Sequence, residues 1–250
     1  MNQTKNLIYE LNNLKKTYRK QTAINISRLQ FHRGTIYGIV GSVGSGKSTL
    51  LKMLSGLLKQ SSGTLKYEDY PFKLNLFGKV KPNSEIKLVQ LNDKISRQAI
   101  SSLLKQASSN TILSQFINNK DSINNTLNNY SKLSNGEKAL LNLSSAFEND
   151  PRALLVDDYG VLFDDNLEKK IQKKIKMMNR ELGTTFILAA SSDVNLKHLA
   201  SVLIYLDNGH ISKIRSGEST KISKRSRPNK NSTYKPKKRN YKSKPKLGKR

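Results

Sequence analysis

The sequence predicts an α/β fold with a largely parallel sheet. Three observations carry that expectation. Short apolar runs of strand length alternate with longer runs of helical spacing, the pattern of strands joined by crossover helices. The run Thr35–Val40 enters a glycine-rich stretch, Gly41-Ser42-Val43-Gly44-Ser45-Gly46-Lys47-Ser48-Thr49, and a helix-like run, Lys47–Leu58, leaves it. A second apolar run, Ala153–Val156, ends on two carboxylates, Asp157 and Asp158.

Taken in order, Leu7–Leu11 and Ile24–Phe31 read as strands, with Lys15-Lys16-Thr17-Tyr18 between them. Ser61-Ser62-Gly63 is a turn and Thr64–Tyr67 a short strand. Asp69 to Asn83, with two prolines, reads as irregular, and Ile86–Leu91 as extended, with Gln90 at its end. Ser96 is placed to cap a helix running to Ala107, with Ile100, Leu103 and Leu104 on one face. Thr111–Ile117 continues in that style, and Asp121–Tyr130 is rich in asparagine and has no clear assignment. Leu133-Ser134-Asn135-Gly136-Glu137 opens a helix through Phe147. Asn166–Glu181 has amphipathic spacing, with Leu167, Ile171, Ile175 and Met178 inward and Lys169, Lys170, Lys173, Lys174 and Lys176 on a solvated face. Thr185–Ala190 is a further strand. Ser201–Leu206 and His210–Ile214 flank Asp207-Asn208-Gly209, a hairpin signal.

The glycine-rich stretch reads G-x-x-x-x-G-K-S in a strand–loop–helix setting, the phosphate-binding pattern. Its glycines let backbone N–H groups turn inward as a nest for phosphate oxygens, and the helix N-terminus adds its positive dipole end. Lys47 is expected to reach the β- and γ-phosphates and the Ser48 hydroxyl to ligate Mg²⁺. Asp157, at the end of its apolar strand, is the expected carboxylate partner for the same cation.

Composition narrows the rest. Hydrophobic residues make up 36 %, enough for a core. With no cysteine there is no disulfide framework, thiol nucleophile or cysteine-rich zinc site. His32, His198 and His210 lie far apart and show no ligand spacing. No apolar run approaches membrane-spanning length, and the N-terminus lacks the apolar core of a signal peptide. The expectation is a soluble, cytoplasmic protein. Charge is uneven: Lys213 to Arg250 holds 16 Lys/Arg against one acid, Glu218, and so contributes +15 of the total +27. That segment is short of large apolar residues and is expected not to fold alone. The expected division is a domain over 1–212 and a basic, disordered tail over 213–250.

Beyond the phosphate loop, the ordered set of motifs resembles the ATP-binding-cassette (ABC) ATPases. Gly41–Thr49, Gln90, Leu133–Glu137, Leu154–Asp158, Asp164 and the 191–193 region stand where that family has its phosphate loop, glutamine, signature, acidic strand, Asp-ended loop and histidine switch. The resemblance covers roughly residues 5–212. It implies a P-loop NTPase core with an antiparallel β region at the N-terminus and a helical subdomain at about 92–140. It also implies ATP and Mg²⁺ as cofactors. Tyr18 matches the ring that stacks on adenine, alongside Gly41, Ser42, Gly44, Ser45, Gly46, Lys47, Ser48 and Thr49 around the phosphates. Gln90 would join Ser48 and Asp157 at Mg²⁺. Ser134 and Gly136 would contact the γ-phosphate held by an opposite protomer, with Asp164 at that seam.

Five positions, in three motifs, depart from the family pattern. Asp158 stands where a Glu polarises the attacking water, and is one methylene shorter, about 1.5 Å. Misplacement of that order costs ~10²-fold in rate. Ser192 replaces the switch histidine, and Tyr159 replaces the following proline. The signature reads Leu-Ser-Asn-Gly-Glu, with Asn135 and Glu137 in place of Gly and Gln. The binding parts are therefore intact; of the catalytic candidates Asp158, Gln90 and Ser192, Gln90 keeps the family residue and Asp158 and Ser192 are altered. The expectation is an ATPase that binds Mg-ATP and turns it over slowly, as the subunit driving a separate membrane permease at the inner face of the membrane. It would act as a homodimer or with a second cassette. The alternatives are a soluble ABC-type ATPase acting on ribosome or RNA, and a non-hydrolysing regulatory cassette. Lys221 to Arg250 carries 14 basic residues and no acid, with Tyr234 and Tyr241 interleaved. RNA, an anionic membrane surface and an acidic protein all remain open as its partner.

Overall fold

The computed structural model describes residues 6–78, 80–81, 83–91, 116 and 133–218. The expected helices over 96–107 and 111–117 (Phe116 apart), the asparagine-rich 121–130 stretch, most of the 92–140 subdomain and the tail beyond Glu218 lie outside the described residues.

Among the described residues, ten strands form two sheets. The first is antiparallel and contains β1 (Leu7–Tyr18), β2 (Gln21–His32), β4 (Ser62–Tyr67) and β5 (Tyr70–Pro71), in the order β2-β1-β4-β5. The second contains β3 (Ile36–Val40), β6 (Ile86–Gln90), β7 (Ala153–Asp157), β8 (Thr185–Ala190), β9 (Val202–Asp207) and β10 (His210–Ser216). Its order is β10-β9-β3-β8-β7-β6, parallel throughout except for the edge hairpin β9–β10. The helices among the described residues are α1 (Lys47–Leu54), α2 (Asn135–Glu148) and α3 (Asp165–Leu182).

The central sheet is covered on both faces, which is why β3, β7 and β8 are apolar without alternation. Leu155, Ile187 and Ala189 face a core shared with α1 and the antiparallel sheet, including Leu50, Leu54, Ile24 and Phe31. Leu154, Val156 and Leu188 face the other way, onto Leu140, Leu143, Ile171 and Ile175 of α2 and α3. Every residue of β7 and β8 is buried.

Several local expectations are corrected. Lys15–Tyr18 is not a connection: it pairs with the start of β2, Lys16 opposite Ile24 and Tyr18 opposite Gln21. The turn is only Arg19-Lys20, with Arg19 at φ 51°. Solvated hairpin ends need no apolar signal, so composition concealed the strand. The first helix stops at Leu54 rather than Leu58, because Gly56 takes φ 78° just beyond the Ser55 cap. Residues 69–83, expected irregular, contain β5 and a Leu74–Val80 bridge. Lys174 leaves the expected solvated face: it is 9 % exposed, sharing the inner stripe with Ile171, Ile175 and Met178. Strand β10 runs to Ser216, and the Glu218 N–H donates to the Lys197 carbonyl, so ordered pairing continues past 212. The Asp207–Gly209 hairpin is present, with Asn208 at φ 44° and Gly209 at φ 79°.

Candidate functional site

The site lies at the C-terminal ends of the parallel strands, where loops emerge from β3, β6, β7 and β8. Strand β3 delivers the phosphate loop. The Gly41 N–H donates to the Ala190 carbonyl at 3.2 Å, and a Cβ on Gly41 would collide with the Leu206 carbonyl. The Ser45 N–H donates to the Ser42 carbonyl at 3.2 Å, closing the turn. Gly44 and Gly46 stand at φ 83° and 104°, backbone that side chains with a Cβ resist. At Gly46 a Cβ would also sit 2.6 Å from the Ala23 carbonyl. The β9–β10 turn braces the loop from outside: the Gly209 N–H donates to the Ser45 carbonyl at 2.9 Å, while its own carbonyl accepts from Asn25.

Lys47 is 7 % exposed, and its Nζ donates to the Gly41 and Ser42 carbonyls at 2.7 and 2.8 Å. The ammonium is thus folded over the loop it is expected to serve. Burial pushes its pKa down, against the pull of Asp157 and Asp158. Ser42, Gly44 and Ser48 are exposed, Thr49 is half-buried and Val43 projects freely. The first N–H groups of α1 have no partner within the helix. The buried Ser45 Oγ also finds no hydrogen-bond partner among the described residues.

Opposite the loop, Asp157 ends β7. It is 3 % exposed and accepts a hydrogen bond from the Ser48 hydroxyl. Burial raises its pKa and the neighbouring Asp158 adds to that rise, while Ser48, the Asp158 N–H and Lys47 oppose it. Gln90 is the register partner of Asp157 on the adjacent strand. A hydroxyl, a carboxylate and a side-chain amide at one strand edge form a hard oxygen donor set of the kind Mg²⁺ takes. The glycine turn, with Gly44 and Gly46 at positive φ, is the kind of backbone in which successive N–H groups form a nest for phosphate oxygens. The residues present therefore fit both groups.

Asp158 is exposed, at φ 56°, and its N–H donates to Asp157 Oδ1 at 3.2 Å. Ser192, after β8, accepts from the Val194 N–H at 3.4 Å, so its hydroxyl is used in a local turn. Tyr18 is 47 % exposed, with Lys16 Nζ 5.1 Å from its ring centre. It lies two residues along β1 from Lys16, which pairs with Ile24 against Gly46.

Ser134 and Gly136 stand apart from this cluster, at the start of α2. Ser134 caps the helix: its Oγ accepts from the Glu137 N–H at 3.2 Å, while its own N–H and hydroxyl donate to Glu137 Oε2 at 2.8 Å. Gly136 packs so that a Cβ would lie 2.8 Å from the Leu162 carbonyl. Asp164 caps α3, accepting from the Leu167 N–H at 2.8 Å. Within one chain the structure brings Lys47, Ser48, Gln90, Asp157 and Asp158 together, and places exposed Ser134 and half-buried Gly136 at the start of α2.

Two side-chain chains around the site had no local signal. Asn195 Nδ2 donates to the Gly160 carbonyl at 3.3 Å. Gln172 Nε2 donates to the Asn195 carbonyl at 3.4 Å and to Glu168 Oε1 at 3.0 Å. This ties the loop after Asp158 to the loop holding Ser192. Tyr205 donates to Asp193 Oδ2 at 2.6 Å, and Arg215 bonds both residues. Sequence separation hides these contacts, and polar residues in loops give no periodicity to read.

Residues 24–159 match the family model described as ABC transporter. The spermidine/putrescine import ATP-binding protein PotA of Bacillus cereus is 26 % identical over 222 residues, 83 % of this chain and 65 % of that protein. The chain thus spans about two thirds of the length of that relative. The uncharacterized ABC transporter ATP-binding protein YybJ of Bacillus subtilis is 29 % identical over 214 residues, covering 81 % of this chain and 94 % of YybJ. Among solved structures, cbiO1 from Clostridium perfringens, part of the ABC transporter complex cbiONQ, superposes with a TM-score of 0.67. It is 21 % identical and the match covers 88 % of this chain and 92 % of cbiO1. The dimeric post-hydrolysis cassette MJ0796 bound to ADP and Pi gives 0.63 at 19 % identity, over 83 % and 98 % of the two chains. These likenesses bear out the α/β cassette fold with its parallel and antiparallel sheets.

Proposed function

Because this chain belongs to the ABC transporter family, we propose that it binds Mg-ATP and hydrolyses it slowly, as the ATP-binding subunit of a transporter whose permease is a separate protein. The observation that carries the reading is the cluster of Lys47 and Ser48 at the start of α1 with Gln90 and Asp157 at the ends of β6 and β7. The nest of loop N–H groups takes the phosphate oxygens, and Lys47 exchanges the Gly41 and Ser42 carbonyls for them. Tyr18 covers the base. When bound, Mg²⁺ neutralises charge on the phosphates. Ser48, Asp157 and Gln90 would hold it.

Asp158 is the group placed to orient water and accept its proton. Its short side chain and the turn-bound Ser192 support slow turnover. Ser134 is exposed at the start of α2, with Gly136 half-buried beside it, which supports use of this edge by a second cassette rather than by this chain's own site. Homodimer and heterodimer are both compatible with that edge. No helix among the described residues is long and apolar enough to cross a membrane.

Nucleotide titration and steady-state phosphate release test the proposal. Tight binding with turnover well below the ordinary ~10 s⁻¹ is expected. Absence of ATP binding overturns it, and turnover at ordinary rates removes the slow part. The charge of residues 213–250 favours one alternative, an ATPase acting on RNA or the ribosome. Capture of a polytopic membrane protein, of ribosomal RNA, or of another cassette separates transporter subunit, RNA-directed ATPase and regulatory partner.

A further inference from the structure

Between β5 and β6 a small lobe stands off the antiparallel sheet. The Lys81 N–H donates to the Lys73 carbonyl at 2.7 Å, and Leu74 bridges Val80. At the far end the Gly78 N–H donates to the Asn75 carbonyl at 2.9 Å, and the Phe77 N–H to Asn75 Oδ1 at 3.0 Å. The base is seated on the core, where a Cβ on Gly56 would meet both Phe72 and Val80 at 3.2 Å. The lobe is therefore shaped by its own hydrogen bonds.

Its apex is Leu76-Phe77, 101 % and 86 % exposed. Turn apices ordinarily take Gly, Asn, Asp, Ser or Pro, because nothing covers them. Tyr70 and Leu74, 75 % and 49 % exposed, continue the apolar surface toward the base. An apolar patch of this kind marks a contact surface. Lys73 and Lys81 are exposed beside it, and no Asp or Glu occurs from Tyr70 to Ser84. The nucleotide site uses none of these residues.

We propose that this lobe enters the surface of an anionic bilayer, Leu76 and Phe77 reaching the acyl boundary while Lys73 and Lys81 meet lipid phosphates. A convex two-residue apex flanked by lysines suits a deformable interface with apolar depth and anionic rim, as interfacial segments do. Lysine stems extend along such a boundary while their ammonium groups stay at the headgroups. The net charge of +27 draws the chain to the same surface. The inference does not depend on nucleotide chemistry.

The chain has no cysteine, so Phe77→Cys introduces one thiol for a polarity-sensitive dye. The full-length labelled protein is mixed with phosphatidylcholine vesicles holding about 30 mol % phosphatidylglycerol. Salt of about 0.5 M screens the basic tail. The dye at 77 is expected to shift to the blue, and a dye at Lys176→Cys on α3 is expected to stay unchanged. In unlabelled protein, Leu76→Ser with Phe77→Ser is expected to weaken vesicle co-sedimentation roughly tenfold. ATP binding by that variant should match the parent, which separates this result from any failure of the nucleotide reading. Co-sedimentation with no shift at 77 and no loss in the double variant overturns the proposal in favour of the tail. A shift on raising protein concentration without lipid, or only with permease-bearing membranes, overturns it in favour of a protein partner.

Discussion

Asp158 concentrates the question of turnover. Its φ of 56° lies in the left-handed region, which Asp and Asn enter more readily than longer side chains. Asp158→Glu should therefore act in two directions. The added methylene brings the carboxylate nearer the water position, and phosphate release should rise at least tenfold. The backbone strain should cost about 1 kcal/mol, lowering the Tm by about 3 °C. A stability scan beside the phosphate assay reads both.

Glu168 gives a second residue-level test. Burial raises its pKa, Asp165 adds to that, and Gln172 opposes it. The folded state therefore prefers the protonated acid. Its ionised form opposes folding at neutral pH, and that opposition is absent below the ordinary carboxylate range and grows as pH rises through the raised value. Glu168→Gln should raise the Tm by about 2 °C at pH 7, with no gain near pH 4. Melting curves across that range check it.

At the scale of elements, the phosphate loop is set by its neighbours. Gly46 touches the Ala23 carbonyl of β2, and Gly209 of the β9–β10 turn donates to Ser45. Gly46→Ala needs both a positive φ and room that the antiparallel sheet occupies. It should cost roughly 3 kcal/mol and abolish nucleotide binding, measurable by denaturant titration and fluorescent-ATP binding. Asn195 links the loop after Asp158 to the loop of Ser192. Asn195→Ala removes that tie without touching the phosphate nest. It should lower kcat severalfold with the KM for ATP nearly unchanged, because only the geometry around the water is loosened. The motif strands and α2 were readable because burial on two faces, or on one stripe, leaves an apolar pattern. The ends of β1 and the stop of α1 were not, because hairpin pairing and a single Gly56 decided them.

For the whole molecule, the proposed function leaves the ATP site to be completed by a second chain. Ser134 lies on an exposed edge with Gly136 half-buried beside it, and the Ser134 N–H and hydroxyl both turn to the Glu137 carboxylate. If that edge closes on a partner's triphosphate, the Glu137 charge opposes it and withholds the serine hydroxyl. Glu137→Gln keeps an acceptor for the helix cap and removes the charge. It should tighten ATP-dependent association of two copies roughly fivefold. Sedimentation at several protein concentrations, with and without ATP, measures this. A variant that associates less well would place the edge elsewhere.

The chain's pattern alone determined the phosphate loop, the acidic strand and the order of motifs, because glycine spacing, a lysine after it and an apolar run are local chemistry. It determined too that residues 213–250 are basic beyond the rest. Only the tertiary structure decided that Ser48 bonds Asp157, that Gln90 lies beside it, that Lys174 is buried and that Leu76 and Phe77 stand uncovered. Those facts come from strand register and packing between distant segments, and no short window of residues contains them.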